Sequence, residues 1–166
     1  MKEIPLTKGH VALVDDADYE WLSQWKWSYH SMGYACRVEQ RGGKQSMILM
    51  HKAILNVRSS QYVDHKDHNR LNNQRSNLRP ATPGQSACNM TKRYKPAGTT
   101  QYRGVLFHKD RPDKVRSKPW QARIRVNGKQ KSLGYYATDI EAARAYDQAS
   151  RQYHGEYGLL NFPEQV

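Results

Sequence analysis

Two adjacent side chains, Asp64 and His65, offer the most direct chemistry in this 166-residue chain. A carboxylate is a hard oxygen ligand of the kind Mg²⁺ or Mn²⁺ prefers. A neutral imidazole, with an unperturbed pKa of about 6.5, can take a proton from water at cellular pH. Together they suit hydrolysis of a phosphodiester, which needs an activated water and stabilisation of charge on the phosphate and the leaving 3′ oxygen. The dipeptide by itself decides little, because many strand ends carry such a polar pair and do no chemistry. The surrounding stretch, Tyr62 to Asn89 (YVDHKDHNRLNNQRSNLRPATPGQSACN), is what singles it out. Tyr62-Val63 reads as a short β run, Lys66 to Ser76 as a polar loop, and Asn77-Leu78-Arg79 as a second short run. Thr82-Pro83-Gly84-Gln85 is a helix start, with Thr as N-cap, Pro at the first helical position and Gln completing a capping box. Strand, loop, strand and helix would bring a carboxylate, an imidazole and a helix face within reach of one another.

The pattern DHxDxNRLNNxxSNLRPAT resembles the HNH endonuclease motif of phage homing endonucleases. That resemblance implies a metal finger of two strands and a helix that grips one divalent ion, Mg²⁺ or Mn²⁺, and a DNA phosphate. It assigns Asp64 as a metal ligand, His65 as the general base and Asn77 as the residue that braces the site and orients the base. The family places Asn or His early on the helix as the second metal ligand, and here that position is Ser86. Asn89 lies three residues further on, on nearly the same helix face. Three arrangements stay open: Ser86 binds through a water, Asn89 reaches in, or the site is crippled and leaves a binder.

Around the motif, Arg70, Arg75 and Arg79 would hold backbone phosphates, which carry affinity but no sequence information; a solvated basic rim is the competing account. His68 reads as a turn residue or phosphate contact. His51, heading a brief helix over Lys52-Ala53-Ile54-Leu55, is expected to be structural, since Asp64 and His65 already fill the catalytic roles. The first 55 residues read as a small antiparallel unit. Val11 to Val14 is a strand, and Asp15 to Asp18 caps a short helix carrying Tyr19, Trp21 and Leu22. Tyr34–Glu39 and Ser46–Met50 flank a hairpin turn at Arg41-Gly42-Gly43-Lys44. Trp25 and Trp27 alternate with polar residues and are expected in the core.

From Tyr102 a second pattern begins. Trp120 to Val126 alternates strictly, with Trp, Ala, Ile and Val on one face and Gln121, Arg123 and Arg125 on the other. Asn127-Gly128 is a type I′ hairpin signal that pairs Arg125 with Gln130 and Arg123 with Ser132. Thr138 to Glu141 is a capping box, and Ala142, Ala145, Tyr146 and Ala149 recur at helical spacing. These residues, with Tyr102-Arg103-Gly104-Val105, Leu133-Gly134-Tyr135-Tyr136 and Leu160-Asn161-Phe162-Pro163, resemble the Apetala-two (ethylene-response-factor) DNA-binding domain. That family lays a three-stranded sheet into the major groove. The resemblance implies DNA contacts from Arg103 and Arg125, with His108, Gln121, Arg123, Gln130 and Ser132 on the same candidate surface. Leu106 and Ser132 replace residues that read DNA in plants, so sequence preference is not inherited.

Composition agrees with a polyanion partner. The chain carries 27 Lys and Arg against 15 Asp and Glu, a net charge of +12, which points to nucleic acid first and a membrane surface second. Cys36 and Cys88 make neither a disulfide framework nor a zinc site. With no long apolar run and no signal-like start, the expectation is a soluble, cytoplasmic, phage-encoded monomer needing no protein partner. The expected fold class is α+β. An HNH nuclease domain over 1–90 carries the finger at about 62–90 on a small antiparallel scaffold. A basic linker over 91–101 leads to a three-stranded sheet packed on one helix over 102–163. The expected function is metal-dependent nicking of double-stranded DNA. The alternative is a catalytically weakened, sequence-specific DNA-binding protein or regulator. An RNA-processing role fits less well, because a sheet in a groove suits B-form DNA.

Overall fold

The computed structural model describes residues 1–90, 100–109 and 117–163; most of the expected basic linker, 91–101, lies outside them. Helices and small antiparallel sheets are arranged in two compact units, Met1–Ser86 and Ala87–Val166, a mixed α+β protein.

In the first unit, β1 (Lys2–Pro5) and β2 (Val11–Val14) pair antiparallel and lead into α1 (Asp16–Leu22). The strands β3 (Ser28–Tyr29), β4 (Ala35–Arg41) and β5 (Lys44–Leu49) form a second sheet in that order. Gly42 and Gly43 turn between Arg41 and Lys44 with φ of 55° and 76°, the left-handed pair that a type I′ turn requires. The short α2 (Met50–Ile54) precedes β6 (Tyr62–His65) and β7 (Leu78–Ala81), which pair antiparallel, and α3 (Pro83–Asn89) follows. Ile4, Ala12, Val14, Leu22, Trp27, Met50, Ile54, Val63 and Leu78 share one core. The two tryptophans part company. Trp27 is 3% exposed and donates its indole N–H to the Leu22 carbonyl at 2.8 Å, whereas Trp25 is 38% exposed with the Arg37 guanidinium 4.4 Å above its ring. Alternation predicts one face for both, but the regular strand begins only at Ser28.

In the second unit, β8 (Val105–Phe107), β9 (Trp120–Val126) and β10 (Lys129–Tyr136) form an antiparallel sheet in the order β10-β9-β8, with α4 (Asp139–His154) against it. Arg125 pairs with Gln130 and Arg123 with Ser132, across an Asn127-Gly128 turn with φ of 49° and 77°. Beyond Ser132 the register shifts by a bulge, so that Gly134 rather than Leu133 faces Ala122. The Thr138 hydroxyl caps α4 by accepting from the Glu141 N–H at 3.2 Å. Ala122 and Val105 pack on Ala142 and Ala143, while Ile124 packs on Tyr146 and Ala149. The small alanines allow that close approach. Asp147, buried on α4, accepts from the backbone N–H groups of Asn161 and Phe162, each at 2.8 Å, and so ties the C-terminal segment to the helix.

Gly104 sits at the tightest point of this unit. Its φ is 74°, and a Cβ there would lie 2.0 Å from Tyr146 Cδ2 and 2.7 Å from the Arg123 carbonyl. A ring and a backbone oxygen cannot both move aside cheaply. Gly104→Ala is therefore expected to cost at least about 3 kcal/mol in this unit. A chemical denaturation curve whose midpoint matched the wild type would refute this.

Candidate functional site

The first candidate site lies at the end of β6. Asp64 and His65 are neighbours on a strand, so their side chains leave on opposite faces. Asp64 stands opposite Arg79 in the β6–β7 register and accepts from its Nε at 3.0 Å and Nη2 at 2.8 Å. Both partners are buried, so this is a charge-assisted pair shielded from water. His65, 5% exposed, stands opposite Leu78 on the core side. Its Nε2 lies 3.5 Å from the amide oxygen of Asn73. In the tautomer protonated at Nε2, His65 donates that long hydrogen bond and Nδ1 becomes the basic nitrogen. Burial pushes the His65 pKa below the ordinary histidine value, against opposing contributions from the Asn73 hydrogen bond and the charges of Asp67 and Asp64. The imidazole is thus neutral at cellular pH.

The loop between β6 and β7 is built on side-chain amides. Asn77 donates from Nδ2 to Asp67 and to the Asn72 carbonyl, both at 2.8 Å, and its own amide oxygen accepts from the Asp67 N–H at 3.0 Å. It braces the loop, while the amide that meets His65 belongs to Asn73. Burial would raise the pKa of Asp67, but hydrogen bonds from Asn72, Asn69 and Asn77 more than offset it and hold the carboxyl below its usual value. The loop is also anchored to the scaffold. Asn73 and Leu71 exchange backbone hydrogen bonds with Leu13, both 2.8 Å, and Asp15 accepts from the Arg75 N–H at 2.8 Å. Asp15 thus ties down the loop and makes no side-chain cap to α1.

The three arginines predicted to hold phosphates are engaged differently. Arg75 grips Asp18 through Nε and Nη2, both at 2.8 Å, and Arg79 is on Asp64. Arg70 lies over the Tyr34 ring at 4.6 Å and donates to the Met32 carbonyl. The Tyr34, His51 and His65 rings pack together, with His51 5.0 Å from Tyr34 and 5.1 Å from His65. His68 takes a left-handed turn conformation, φ 65°. Helix α3 starts as the sequence indicates: Thr82 and Gln85 exchange hydrogen bonds of 2.8 and 3.2 Å, the reciprocal capping box. Ser86 lies one turn along it, and Asn89 is buried and falls in the second compact unit. Among the described residues no three His, Cys, Asp or Glu side chains cluster as a metal site.

Sequence reasoning did not single out Asn73, Tyr34 or Asp67. Asn73 is fully buried, and one Asn in a loop of several gives no periodic sign of that. The Asn72-Asn73 doublet is the only local hint.

The second candidate surface is the outer face of the β10-β9-β8 sheet. His108 Nε2 lies 2.8 Å from Gln121 Oε1, and the Gln121 amide donates to Ser132 at 3.0 Å. With the Gln130 amide turned so that its oxygen faces Arg123, it accepts from Arg123 Nε at 2.6 Å. Arg125 is exposed on the same face. The exposed Phe107 and Tyr135 flank this face. Arg103 is engaged elsewhere: its guanidinium donates to the Tyr146 hydroxyl at 2.8 Å and to the carbonyls of Met90 and Ala87. Both cysteines are free, with thiol pKa values raised by burial. No described helix is long and apolar enough to cross a membrane.

Comparison with known proteins gives two kinds of relative. The uncharacterized HNH endonuclease L560 of Acanthamoeba polyphaga mimivirus is 29% identical over 156 residues, 93% of this chain and 76% of that protein. APETALA2-like protein 2 of rice (Oryza sativa subsp. indica) is 38% identical over 67 residues, and the AP2-like ethylene-responsive transcription factor TOE2 of Arabidopsis thaliana 39% over 64. Each plant match takes in 39% of this chain, which spans only 14% and 12% of those proteins. No family model and no solved structure matches the chain.

Proposed function

We propose that this protein is a DNA endonuclease of the HNH type, with a nuclease domain over 1–90, a basic linker and an Apetala-two-like sheet over 102–163 that docks on duplex DNA. The observation that carries the reading is His65: a buried imidazole kept neutral at cellular pH, one residue from a carboxylate at the end of a strand. The mimivirus relative, named an HNH endonuclease and similar over most of the chain, supports it, and the plant relatives support the sheet as a DNA-binding surface.

In this reading His65 takes a proton from the water that attacks phosphorus, and the 3′ oxygen leaves. The products are 5′-phosphate and 3′-hydroxyl ends. Mg²⁺ binds through one or two carboxylates and keeps several waters, so a single aspartate with hydroxyl and water oxygens is an adequate donor set. Asp64 would hold the ion while sharing its carboxylate with Arg79, and Ser86 is the neutral donor the motif supplies. Bound there, Mg²⁺ or Mn²⁺ supplies charge stabilisation for the phosphate and leaving oxygen. Arg70 stands at the rim as a phosphate-holding cation. One centre cuts one strand per engagement, so the product is a nick.

The test is supercoiled plasmid incubated with Mg²⁺ or Mn²⁺. Nicked circles that disappear on chelation support the proposal. A second reading, DNA binding without cleavage, is favoured by the Asp64–Arg79 pair, which already neutralises the carboxylate, and by serine at position 86. Uncut plasmid with duplex binding retained would establish it. On either reading Arg125→Ala is expected to weaken duplex binding. It should also lower the slope of log affinity against log salt by about 0.9 if the guanidinium meets one phosphate. Fluorescence anisotropy across a salt series measures both, and an unchanged affinity and slope would exclude Arg125 from the interface.

A further inference from the structure

His51 is the buried titratable group that the proposed reaction leaves unused. It occupies the second position of α2, is 3% exposed, and its Nδ1 has no hydrogen-bond partner among the described residues. An unpartnered polar atom in a core costs about 1–3 kcal/mol, a penalty that phenylalanine or leucine at this position would avoid. Packing alone therefore gives no reason for an imidazole here. Its surroundings do. The ring stands at 81° to that of His65 with centroids 5.1 Å apart, an edge-on contact, and Tyr34 closes the group at 5.0 Å from His51 and 6.1 Å from His65. Two imidazoles in contact cannot both carry charge cheaply. Burial, with smaller contributions from His65, Lys52 and Arg70, holds His51 down at about 3, so it is the one that stays neutral.

We propose that His51 is a positioning residue for the nuclease centre: its ring fixes the plane and tautomer of the His65 imidazole, and its unsatisfied nitrogen presents a dipole to the positive charge that His65 gains on taking the proton. This rests on the assignment of His65 as general base. An interaction left unsatisfied at rest and realised only as charge develops raises kcat and leaves KM alone. It also explains why a core position tolerates an orphaned nitrogen: the penalty is relieved in the transition state.

The experiment compares wild type, His51→Phe and His51→Asn. Phenylalanine keeps a ring without nitrogen, while asparagine places an amide near the position of Nδ1. The expected result for His51→Phe is a roughly tenfold fall in kcat at unchanged KM, with thermal stability equal to or above wild type. His51→Asn should recover part of kcat. If His51 acts only in packing, His51→Phe will nick at the wild-type rate, or kcat will fall only in step with the folded fraction; either overturns the proposal. A second readout separates this from failure of the nuclease reading. Long-range ¹H–¹⁵N spectra of the imidazoles report the tautomer of His65 with no substrate present. One dominant tautomer in the wild type and a mixture in His51→Phe support the proposal even if plasmid stays uncut, and identical His65 spectra in the two proteins overturn it.

Discussion

Plasmid nicking by the His65→Ala protein is expected to be about 10²- to 10⁴-fold slower than by the wild type, the range a positioned general base contributes. Burial of His65 and its contact with Asn73 make it the one group in the motif whose protonation state and direction are both set by the structure. Because the side chain fills core space beside His51, His65→Gln should be run alongside, as a variant that keeps volume and polarity but cannot act as the base. Duplex binding, measured separately, should survive both substitutions. The pH profile gives an independent check. With the His65 pKa lowered by burial, the base stays competent below pH 6.5. The acid limb should lie under that value and fall tenfold per unit once His65 protonates. Wild-type rates in His65→Ala, or an acid limb above 6.5, would remove His65 from the mechanism. Ser86→Asn, which restores the family's second ligand, should raise the Mg²⁺-supported rate if position 86 limits ion binding.

Acidification should unfold the first unit well before its carboxylates protonate. The folded-state pKa of His51 is about 3 against an ordinary 6.5. Between those values the unfolded chain binds a proton that the folded chain does not, so unfolding gains ground as pH falls. The stability is complete above pH 6.5 and is lost at up to about 1.4 kcal/mol per unit down to pH 3, on the order of 4–5 kcal/mol in all. Since small domains are stable by only about 5–15 kcal/mol, that loss is enough to bring the unit to its midpoint. His65 acts in the same direction. The lowered carboxyls of Asp18 and Asp67 add theirs only as pH falls below the ordinary carboxylate value. Denaturant midpoints measured from pH 7 to pH 4 should drop steeply for the wild type and less for His51→Phe. Parallel curves for the two proteins would show that His51 is not the linked group.

Features that depend on neighbours along the chain were legible in the sequence. The Thr82–Gln85 and Thr138–Glu141 caps, the Gly42-Gly43 and Asn127-Gly128 turns, and the pairing of Arg125 with Gln130 all formed as their residues dictate. Each is settled by a φ preference or a hydrogen bond spanning a few residues. The alternation of Trp120 to Val126 likewise sets which side chains enter the core. The motif residues themselves, Asp64 and His65, were named from their spacing.

Tertiary structure decided the partners. Nothing local to Arg75 or Arg79 shows that each guanidinium is matched to an aspartate, one of them 57 residues away. Nothing local to Arg103 points to Tyr146. The burial of Asn73, the docking of its loop on Leu13 and Asp15, and the edge-on meeting of His51 with His65 are equally distant in the chain. Local sequence determines backbone shape because the competing states differ by a few torsions. Which polar groups lose water, and against what, depends on chain segments that meet only on folding, and that sets the charge of His65.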